Sequence, residues 1–525
     1  RLNQKKRYML SAQLSYDITD WLNISGRVRV DNTHTKYEQK LYASSNLTIT
    51  EESTQGHYTI SKPDETQTYA DVLANINKRF NDFSLVANVG ASIVNNRYED
   101  LSYRGPIREK GIPNVFNVFD LDNTKKKARQ DEWQEQTQSI VASVEVGWKS
   151  MLYLTLTGRN DWASQLANSS TPCFFYPSVG LSGVISEMLT LPEFIDYMKV
   201  RGSFSSVGMP YPRNLTSPTY EYDEANQQWK PKTHYPIKDL KPERTNSWEL
   251  GLDMRLFKDF SLGFSWYLAN TFNQTFDPKV SVSSGYSKIY LQTGYVRNSG
   301  VELSLGYGHT WNNHLHWESN FTLSHNKNTI KDLVTSYIHP ETGLPITQNR
   351  LDVGGLGKAR FILKKGGTLG DLYTQSDLKR DNSGMVEIDP SGALTTEDNL
   401  PDIKLGSVFP KANLAWNNRF EWRGISLSAL FTARIGGIAY SATQAAMDQY
   451  GVSERSAQAR DNGGVLLNGR TLVDAQTYYS LIGNSSGLPQ YYTYSATNVR
   501  LQEASVGYTI PRKWLGVCVT SMSLW

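Results

Sequence analysis

The segment Ser247–Phe257, SWELGLDMRLF, alternates apolar and polar residues along its whole length. One set of alternate positions holds Trp248, Leu250, Leu252, Met254 and Leu256. The other set holds Glu249, Gly251, Asp253 and Arg255. Because successive side chains of a strand point to opposite sides, the segment predicts a β-strand with one apolar face and one polar face.

The same two-residue period recurs along the chain, for example over 83–94, 140–148 and 425–433. We interpret the alternating runs as eight hairpins, which join 7–17 to 21–31, 67–80 to 83–95, 136–148 to 151–159, 174–186 to 196–207, 246–257 to 260–272, 299–310 to 315–325, 408–419 to 424–434, and 497–509 to 516–525. The predicted fold class is therefore all-β, with about sixteen antiparallel strands.

The connections between these runs are either tight turns or long loops. Tight turns fall at 17–20, 81–82, 149–150 and 258–259. Long loops cover about 32–66, 96–134, 208–244, 326–407 and 435–496. Loops of this length are uncommon in compact soluble domains. Short turns on one rim and long loops on the other are typical of a transmembrane β-barrel of the outer membrane, with the short turns in the periplasm.

Aromatic residues lie close to the tight turns and strand ends. The set comprises Trp21, Phe80, Phe83, Trp148, Phe257, Phe260, Trp311 and Trp422. Strand propensity alone would scatter aromatic residues along the strands. A ring at the boundary between lipid and water buries its body and hydrates its edge, so these positions favour an aromatic girdle in contact with outer-membrane lipid.

The composition is compatible with a barrel and excludes several other classes. No stretch approaches 18 apolar residues, so the sequence predicts no transmembrane helix. A mean hydropathy of −0.48 does not exclude a membrane, because barrel strands expose apolar groups only at every second position. The balance of 54 basic and 51 acidic residues indicates no nucleic-acid partner. A soluble β-sandwich also alternates, but its strands have about five or six residues, whereas these runs have the roughly ten residues of a tilted membrane strand.

The cysteines and the chain ends give little further information about the fold. Cys173 and Cys518 leave open one disulfide but form no disulfide or metal framework. The chain starts at Arg1 without an initiator methionine or signal peptide and ends at Trp525 after an apolar run. We therefore expect residues 1–525 to be one partial barrel domain, shortened at both ends, that does not close on itself.

Several segments, taken in order, resemble the SusC/RagA family of TonB-dependent transporters from Bacteroidetes. They are RNDWASQL (159–166), FFYPSVGLSGVISE (174–187), VRGSFSSVG (200–208), LKPERTNSWELGLDMRLF (240–257), RNSGVELSL (297–305), GDLYTQSDLKRDNSGMVEIDPSG (370–392), FTARIGGIAYSAT (431–443) and NVRLQEASVGYTIPRKW (498–514). Each segment is weakly specific alone, but the ordered set covers most of the chain from about residue 150 onward.

The resemblance implies properties that the alternation alone does not show. It implies a barrel of about 22 strands with a plugged lumen. It also implies a TonB complex that acts through an N-terminal TonB box and plug, and a SusD-like lipoprotein over the barrel. The implied activity is import of a nutrient across the outer membrane, most often an oligosaccharide and sometimes a peptide, without a cofactor. No TonB box or plug is recognisable in this sequence, and we expect the chain to stop before the family's last strands.

The sequence contains no recognisable catalytic motif. It lacks G-x-S-x-G, H-E-x-x-H and the P-loop, so we predict no enzyme. His309, His314 and His316 lie close together, but hydrated rings at a turn are favoured over a metal site. The acidic segment 377–389, DLKRDNSGMVEID, lacks the EF-hand spacing and favours a solvated loop.

Candidate substrate-binding residues lie in the loop 208–244. They are Tyr211, Tyr220, Tyr222, Trp229 and Tyr235. Exposed aromatic rings stack on sugar faces while polar neighbours bind hydroxyl groups. The alternative is that these rings pack the loop against its neighbours or against the lipoprotein.

Three other functions remain as alternatives to TonB-dependent import. A passive porin would need a complete barrel without a plug. An outer-membrane enzyme would need catalytic groups at the rim. A soluble glycan-binding protein would need the intact protein to stay soluble without detergent.

Overall fold

The computed structural model describes residues 1–215, 221–223, 228–230, 234–235, 241–276, 288–311, 314–338, 345–484, 487–511 and 522–524. None of the helices in these ranges is both long enough and apolar enough to cross a membrane. The chain divides into two compact units. The first comprises Arg1–Leu181, Ser205–Arg244 and Lys279–Tyr290, and the second comprises Ser182–Phe204, Thr245–Pro278 and Leu291–Trp525.

Strands dominate both units, and the few helices are short. The strands up to residue 332 are β1 (Leu2–Thr19), β2 (Leu22–Leu41), β3 (His57–Ser61), β4 (Asp64–Phe80), β5 (Phe83–Pro106), β6 (Lys127–Trp148), β7 (Leu152–Ala163), β8 (Cys173–Val184), β9 (Ile195–Met209), β10 (Glu221–Asp223), β11 (Gln228–Lys230), β12 (His234–Tyr235), β13 (Glu243–Leu256), β14 (Phe260–Phe276), β15 (Lys288–Ile289), β16 (Leu291–Trp311) and β17 (Leu315–Asp332). The later strands are β18 (Val334–Ile338), β19 (Pro345–Gln348), β20 (Arg350–Leu356), β21 (Ala359–Lys364), β22 (Asp371–Thr374), β23 (Asp377–Leu378), β24 (Thr396–Glu397), β25 (Ile403–Ser407), β26 (Ala412–Trp422), β27 (Ile425–Ile435), β28 (Ile438–Tyr440), β29 (Val465–Leu467), β30 (Thr471–Val473), β31 (Thr493–Ser495), β32 (Asn498–Ile510) and β33 (Met522–Leu524). The α-helices are α1 (Ile185–Met188), α2 (Ala442–Gln449), α3 (Glu454–Asp461) and α4 (Ala475–Ile482).

The first unit is built on long antiparallel strands in the order β1, β2, β4, β5, β6 and β7. The pairing of β4 with β5 runs without a register shift from Phe80 opposite Phe83 to Asp64 opposite Glu99. Strand β3 is short and bridges β2 and β5 at their loop ends. Backbone N–H and C=O groups are therefore bonded between neighbouring strands over most of each strand.

The second unit repeats this construction with other strands. Strands β14, β16, β17, β26, β27 and β32 pair antiparallel in that order. Strand β9 pairs with β13, and β33 pairs with the end of β32. The register places side chains in rows across the strands, so that Leu305 lies opposite Phe321 and Phe321 opposite Trp416.

The predicted all-β class is confirmed. Five of the predicted hairpins are also confirmed by the pairings of β1 with β2, β4 with β5, β6 with β7, β16 with β17 and β26 with β27. Of the last predicted strand, 516–525, only Met522–Leu524 lies within the described residues. Many strands extend beyond the predicted bounds on the loop side: β5 reaches Pro106, and β6 begins at Lys127. The extensions are rich in charged residues and tyrosine, so the apolar alternation that marks a strand stops before the hydrogen-bonded ladder does.

The apolar face of the strands is the exposed one. In β13, Trp248 is 54% exposed and Leu250 57%, whereas Gly251 between the polar residues is buried. In the first unit, Leu14 is 83% exposed. Water would favour burial of such side chains, so these faces are suited to hydrocarbon. The strands of the main pairing series, from 11 residues in β27 to 24 in β5, also contradict the soluble sandwich.

The aromatic residues assigned to the girdle are all exposed, from 38% for Trp21 to 62% for Phe257. In the second unit their rings belong to a continuous series of contacts near the short turns. The series runs through Phe257, Phe260, Tyr307, Trp317 and Phe420, with ring centroids 4.7 to 6.5 Å apart. Contacts of this kind at one end of the strands are the expected arrangement for rings at a membrane boundary.

The long loops of the second unit are folded, which the sequence pattern did not predict. Helices α2 to α4 pack around a core that includes Leu488 and Tyr492, both fully buried. The side chains of Ser441, Ser453 and Asp474 cap these helices by accepting N–H groups three residues further on. Such caps are a local signal of a helix N-terminus, although the same residue types are also common in loops.

Ser304 and Leu305 are neighbours on β16 and project to opposite faces, so they form a matched pair for testing the face assignment. We expect Leu305→Arg to lower the free energy of unfolding by about 2–4 kcal/mol, because it places a charge in hydrocarbon near the middle of the strand. We expect Ser304→Arg to lower it by less than about 1 kcal/mol. Guanidinium unfolding of the full-length protein in lipid vesicles measures both values, and equal losses would contradict the assigned faces.

Candidate functional site

The polar face of the second unit carries an ionic cluster centred on Arg201 of β9. Its guanidinium lies 2.7 Å from Asp253 and 3.3 Å from Glu249, both on β13. It also donates a 2.7 Å hydrogen bond to Ser265 Oγ on β14. The alternate polar positions of the segment SWELGLDMRLF thus hold a charged side chain from another strand against the wall.

A glycine makes room for this guanidinium. A Cβ added to Gly251 would lie 2.5 Å from Arg201 Nε. Because a side chain at position 251 would displace Arg201 from Glu249 and Asp253, the glycine is part of the cluster and not merely a tolerated break in the strand.

Next to the Arg201 cluster lies a cavity of about 640 Å³, lined by polar side chains and by apolar residues such as Leu303, Leu323 and Leu414. One row of residues, on successive strands, comprises Ser265, Glu302, Ser324, Asn413 and Arg434. The adjacent row on the same face includes Ser304, Thr322, Thr432 and Arg500. Hydroxyl and amide groups therefore occupy the centre of the cavity wall.

The two sides of this cavity differ in charge. Glu302 is an acid without an ion-pair partner among the described residues, and Arg500 is a base in the same situation. Arg434 donates to the backbone oxygen of Val408, while its buried Nε–H has no hydrogen-bond partner in the described part of the chain. Glu302 and Arg434 are three strands apart, which corresponds to about 14 Å. The cavity can therefore bind groups of opposite charge at its two sides.

Residues 1–502 match the model of the family described as TonB dependent receptor-like, beta-barrel. The chain belongs to this family. It is an outer-membrane β-barrel protein, in which apolar strand faces contact lipid and polar faces line the lumen.

Curated relatives include two TonB-dependent receptors of Formosa agariphila. TonB-dependent receptor P3 is 21% identical over 436 residues, covering 77% of this chain and 42% of the relative. TonB-dependent receptor P39 is 23% identical over 339 residues, covering 62% of this chain and 30% of the relative. The chain thus spans less than half the length of either receptor.

Solved structures with a similar fold include the RagAB peptide transporter, with a TM-score of 0.77 and 16% identity over 99% of this chain and 57% of that one. The RagAB peptide importer in its open-open state has a TM-score of 0.74 and 15% identity, again over 99% and 57%. These likenesses show a shared fold.

The aromatic loop of this TonB-dependent receptor family member lies only partly within the described residues. Tyr211 is 4% exposed, and burial raises the pKa of its hydroxyl. The expectation of an exposed ring is therefore wrong for Tyr211, which packs the start of the loop instead. Tyr220 lies outside the described residues. The side chains of Tyr222, Trp229 and Tyr235 also lie outside them, so their role in substrate binding stays a prediction.

The histidines are separated by the strand geometry. His309 lies opposite Trp317, while His316 lies opposite Thr310, so the two histidines are on opposite faces of the β16–β17 hairpin. His309 Nδ1 contacts Asp259 at 2.7 Å, and His316 Nδ1 contacts Thr310 Oγ1 at 2.9 Å. Across the described ranges, no group of three or more His, Cys, Asp or Glu residues is placed to hold a metal.

Two other sequence features have local roles. In the acidic segment 377–389, Asp381 accepts the N–H groups of Ser383 and Met385 and so stabilises a turn. Cys173 is a free thiol, and Cys518 lies outside the described residues.

A four-stranded loop sheet of β20, β21, β22 and β25 adjoins the cavity through the bond from Arg434 to Val408. Its Asp402 accepts hydrogen bonds of 2.7 and 2.9 Å from Arg350 and lies 2.8 Å from Lys364. The guanidinium of Arg350, aided by the Lys364 ammonium, lowers the pKa of Asp402 to about 2. Ionised Asp402 therefore stabilises the loop sheet.

The charged residues of the cavity were not predicted from the sequence. Arg201, Arg434 and Arg500 each stand on the polar side of an alternating run, as does Glu302. The available signal was a charge flanked by apolar residues within a barrel strand. Only the register of the strands shows which of these charges share one cavity.

We expect the pH dependence of the loop sheet to follow Asp402. Because its pKa is lowered by folding, the stabilisation is present above pH 4 and disappears as the pH falls through about 2. A shift of this size corresponds to about 2 kcal/mol. Hydrogen exchange of amides 350–407, corrected for intrinsic rates, should show this loss in the wild type and a smaller pH effect in Asp402→Asn. An identical pH effect in both proteins would contradict the role of Asp402.

Proposed function

We propose that the full-length protein is a TonB-dependent importer of an oligosaccharide, acts with a SusD-like surface lipoprotein, and catalyses no reaction. The observation that carries the choice of cargo is the centre of the cavity wall. Ser304, Thr322, Ser324, Asn413 and Thr432 offer hydroxyl and amide groups without net charge. Such groups suit the many hydroxyls of a sugar chain, which both donate and accept hydrogen bonds.

Membership of the TonB-dependent receptor family supports import driven by TonB. The ordered segments that resemble the SusC/RagA family support a SusD-like lipoprotein as partner. A TonB complex would act through an N-terminal region of the full-length protein. The segments NVRLQEASVGYTIPRKW and FTARIGGIAYSAT resemble that family and contain Arg500 and Arg434 of the cavity. We also propose that Tyr220, Tyr222, Trp229 and Tyr235 contact the cargo by stacking on sugar rings.

A peptide is the second candidate cargo, and the charge distribution of the cavity favours it. Glu302 is suited to a peptide's N-terminal ammonium, and Arg434 with Arg500 to its terminal carboxylate. The separation of about 14 Å between strands corresponds to roughly four extended residues. A fold relative is named as a peptide transporter, in agreement with this candidate.

Uptake by cells that express the full-length protein distinguishes the two cargoes. We expect Asn413→Ala with Thr432→Val to lower oligosaccharide uptake roughly tenfold, because each removes a hydrogen-bonding group. Glu302→Gln with Arg500→Gln should leave neutral oligosaccharide uptake within about twofold. Labelled pools of oligosaccharides and of short peptides are supplied separately, and uptake must stop when TonB is deleted.

Leu427→Ala on the lipid face of β27 is the matched control and should not alter uptake when the protein is present at the same level. A peptide cargo would be indicated by two results together. The wild type would take up no oligosaccharide, and the Glu302→Gln, Arg500→Gln variant would lose peptide uptake. Uptake that persists without TonB would indicate a passive channel and contradict the proposal.

A further inference from the structure

Lys78 is a cation on the lipid-facing side of a strand. It stands on the apolar face of β4, in line with Val72 and Ile76, in a stretch without a register shift. Its ammonium lies 4.7 Å from the ring centroid of Trp21 and 5.2 Å from that of Phe80. Among the described residues, no carboxylate forms an ion pair with it. The two girdle rings therefore hold an unpaired cation at the level where hydrocarbon gives way to headgroups.

Two short turns of the second unit also carry cations beside girdle rings. Lys258 follows Phe257, and Arg423 follows Trp422, with the Arg423 guanidinium 5.4 Å from the Trp422 ring centroid. Both cationic residues have left-handed backbone, with φ of 66° and 47°. This conformation is unfavourable for residues with a Cβ and is normally assigned to Gly or Asn. Here long basic side chains occupy it, which points to a role for their charge.

The acidic residues near these turns are engaged elsewhere. Asp196 accepts the backbone N–H of Lys258, and Asp259 contacts His309 at 2.7 Å. In the first unit, Asp82 lies 3.6 Å from Lys149. In the described part of the chain, neither Lys258 nor Arg423 has a carboxylate partner. Their positive charges are thus available to an external anion.

We propose that Lys78 in the first unit, and Lys258 and Arg423 in the second, bind the phosphate groups of anionic phospholipids at the short-turn ends of their strands. The apolar strand faces that begin at these residues contact the acyl chains. One lipid can therefore place its phosphate against a cation and its acyl chains against an apolar strand face. Lys78 lies on the lipid-facing side of β4, whereas Lys258 and Arg423 lie in the short turns themselves, and lipid binding does not depend on which cargo is imported. Bound lipid would fix the depth of each unit in the membrane.

Native mass spectrometry of the full-length protein in detergent, titrated with phosphatidylglycerol or phosphatidylcholine, tests this proposal. The wild type should retain phosphatidylglycerol about fivefold better or more. The triple variant Lys78→Gln, Lys258→Asn, Arg423→Asn should lose this preference. Asn tolerates left-handed backbone, so the melting temperature of the variant without lipid should be unchanged or higher.

A control variant removes three cations from the loops instead: Lys110→Gln, Lys379→Gln and Arg470→Gln. It should retain the preference for phosphatidylglycerol, and so should the charge-conserving variant Lys78→Arg, Lys258→Arg, Arg423→Lys. If the wild type shows no preference, or if the loop control loses as much as the Lys78→Gln, Lys258→Asn, Arg423→Asn variant, the proposal is overturned. If that variant fails to fold, it is replaced by Arg423→Asn alone, which must then lower the preference measurably.

Discussion

Hydrocarbon supplies no hydrogen-bond partner to a backbone N–H or C=O, so a chain that crosses it as strands must bond each strand to its neighbours. The long ladders of β4 with β5, and of β16 with β17 from Val296 to Trp311, run without a register shift and meet this requirement. Once the ladder is in place, side chains alternate between two surfaces with opposite surroundings. The exposed apolar face, the girdle and the polar cavity all follow from that one constraint.

The polar surface is organised by specific contacts and is not simply what remains once the apolar face is formed. Gly251 leaves the space in which Arg201 reaches Asp253, so a small residue on one strand positions a charge from another. Neighbouring rows then combine hydroxyl and amide groups with two bases and with Glu302, which has no ion-pair partner among the described residues. An exposed ion pair in water contributes little to binding, whereas charged and polar groups that converge in a cavity can discriminate between ligands.

The loops are under a different constraint, because water can form hydrogen bonds with their backbone groups. They are therefore free to fold as small modules. The helices α2 to α4 have a hydrophobic core of their own, and the sheet of β20, β21, β22 and β25 is held by Asp402 and its two bases. Through Val408 this sheet contacts Arg434 of the cavity. A direct hydrogen bond therefore joins the segment after β25 to a charged residue of the cavity wall.

The sequence by itself determined the strands, their order, the two faces and the girdle, because alternation and turns are local properties of the chain. It did not reveal the loop helices, whose capping residues resemble ordinary loop residues, and it wrongly treated Tyr211 as exposed. Nor did it separate His309 from His316, since spacing alone does not show the register between strands. The cavity required the tertiary structure, because Glu302, Asn413 and Arg434 are distant in the chain and meet only when several strands align. Cross-strand pairing is a non-local interaction, and only the folded ladder decides which alternate residues share a row.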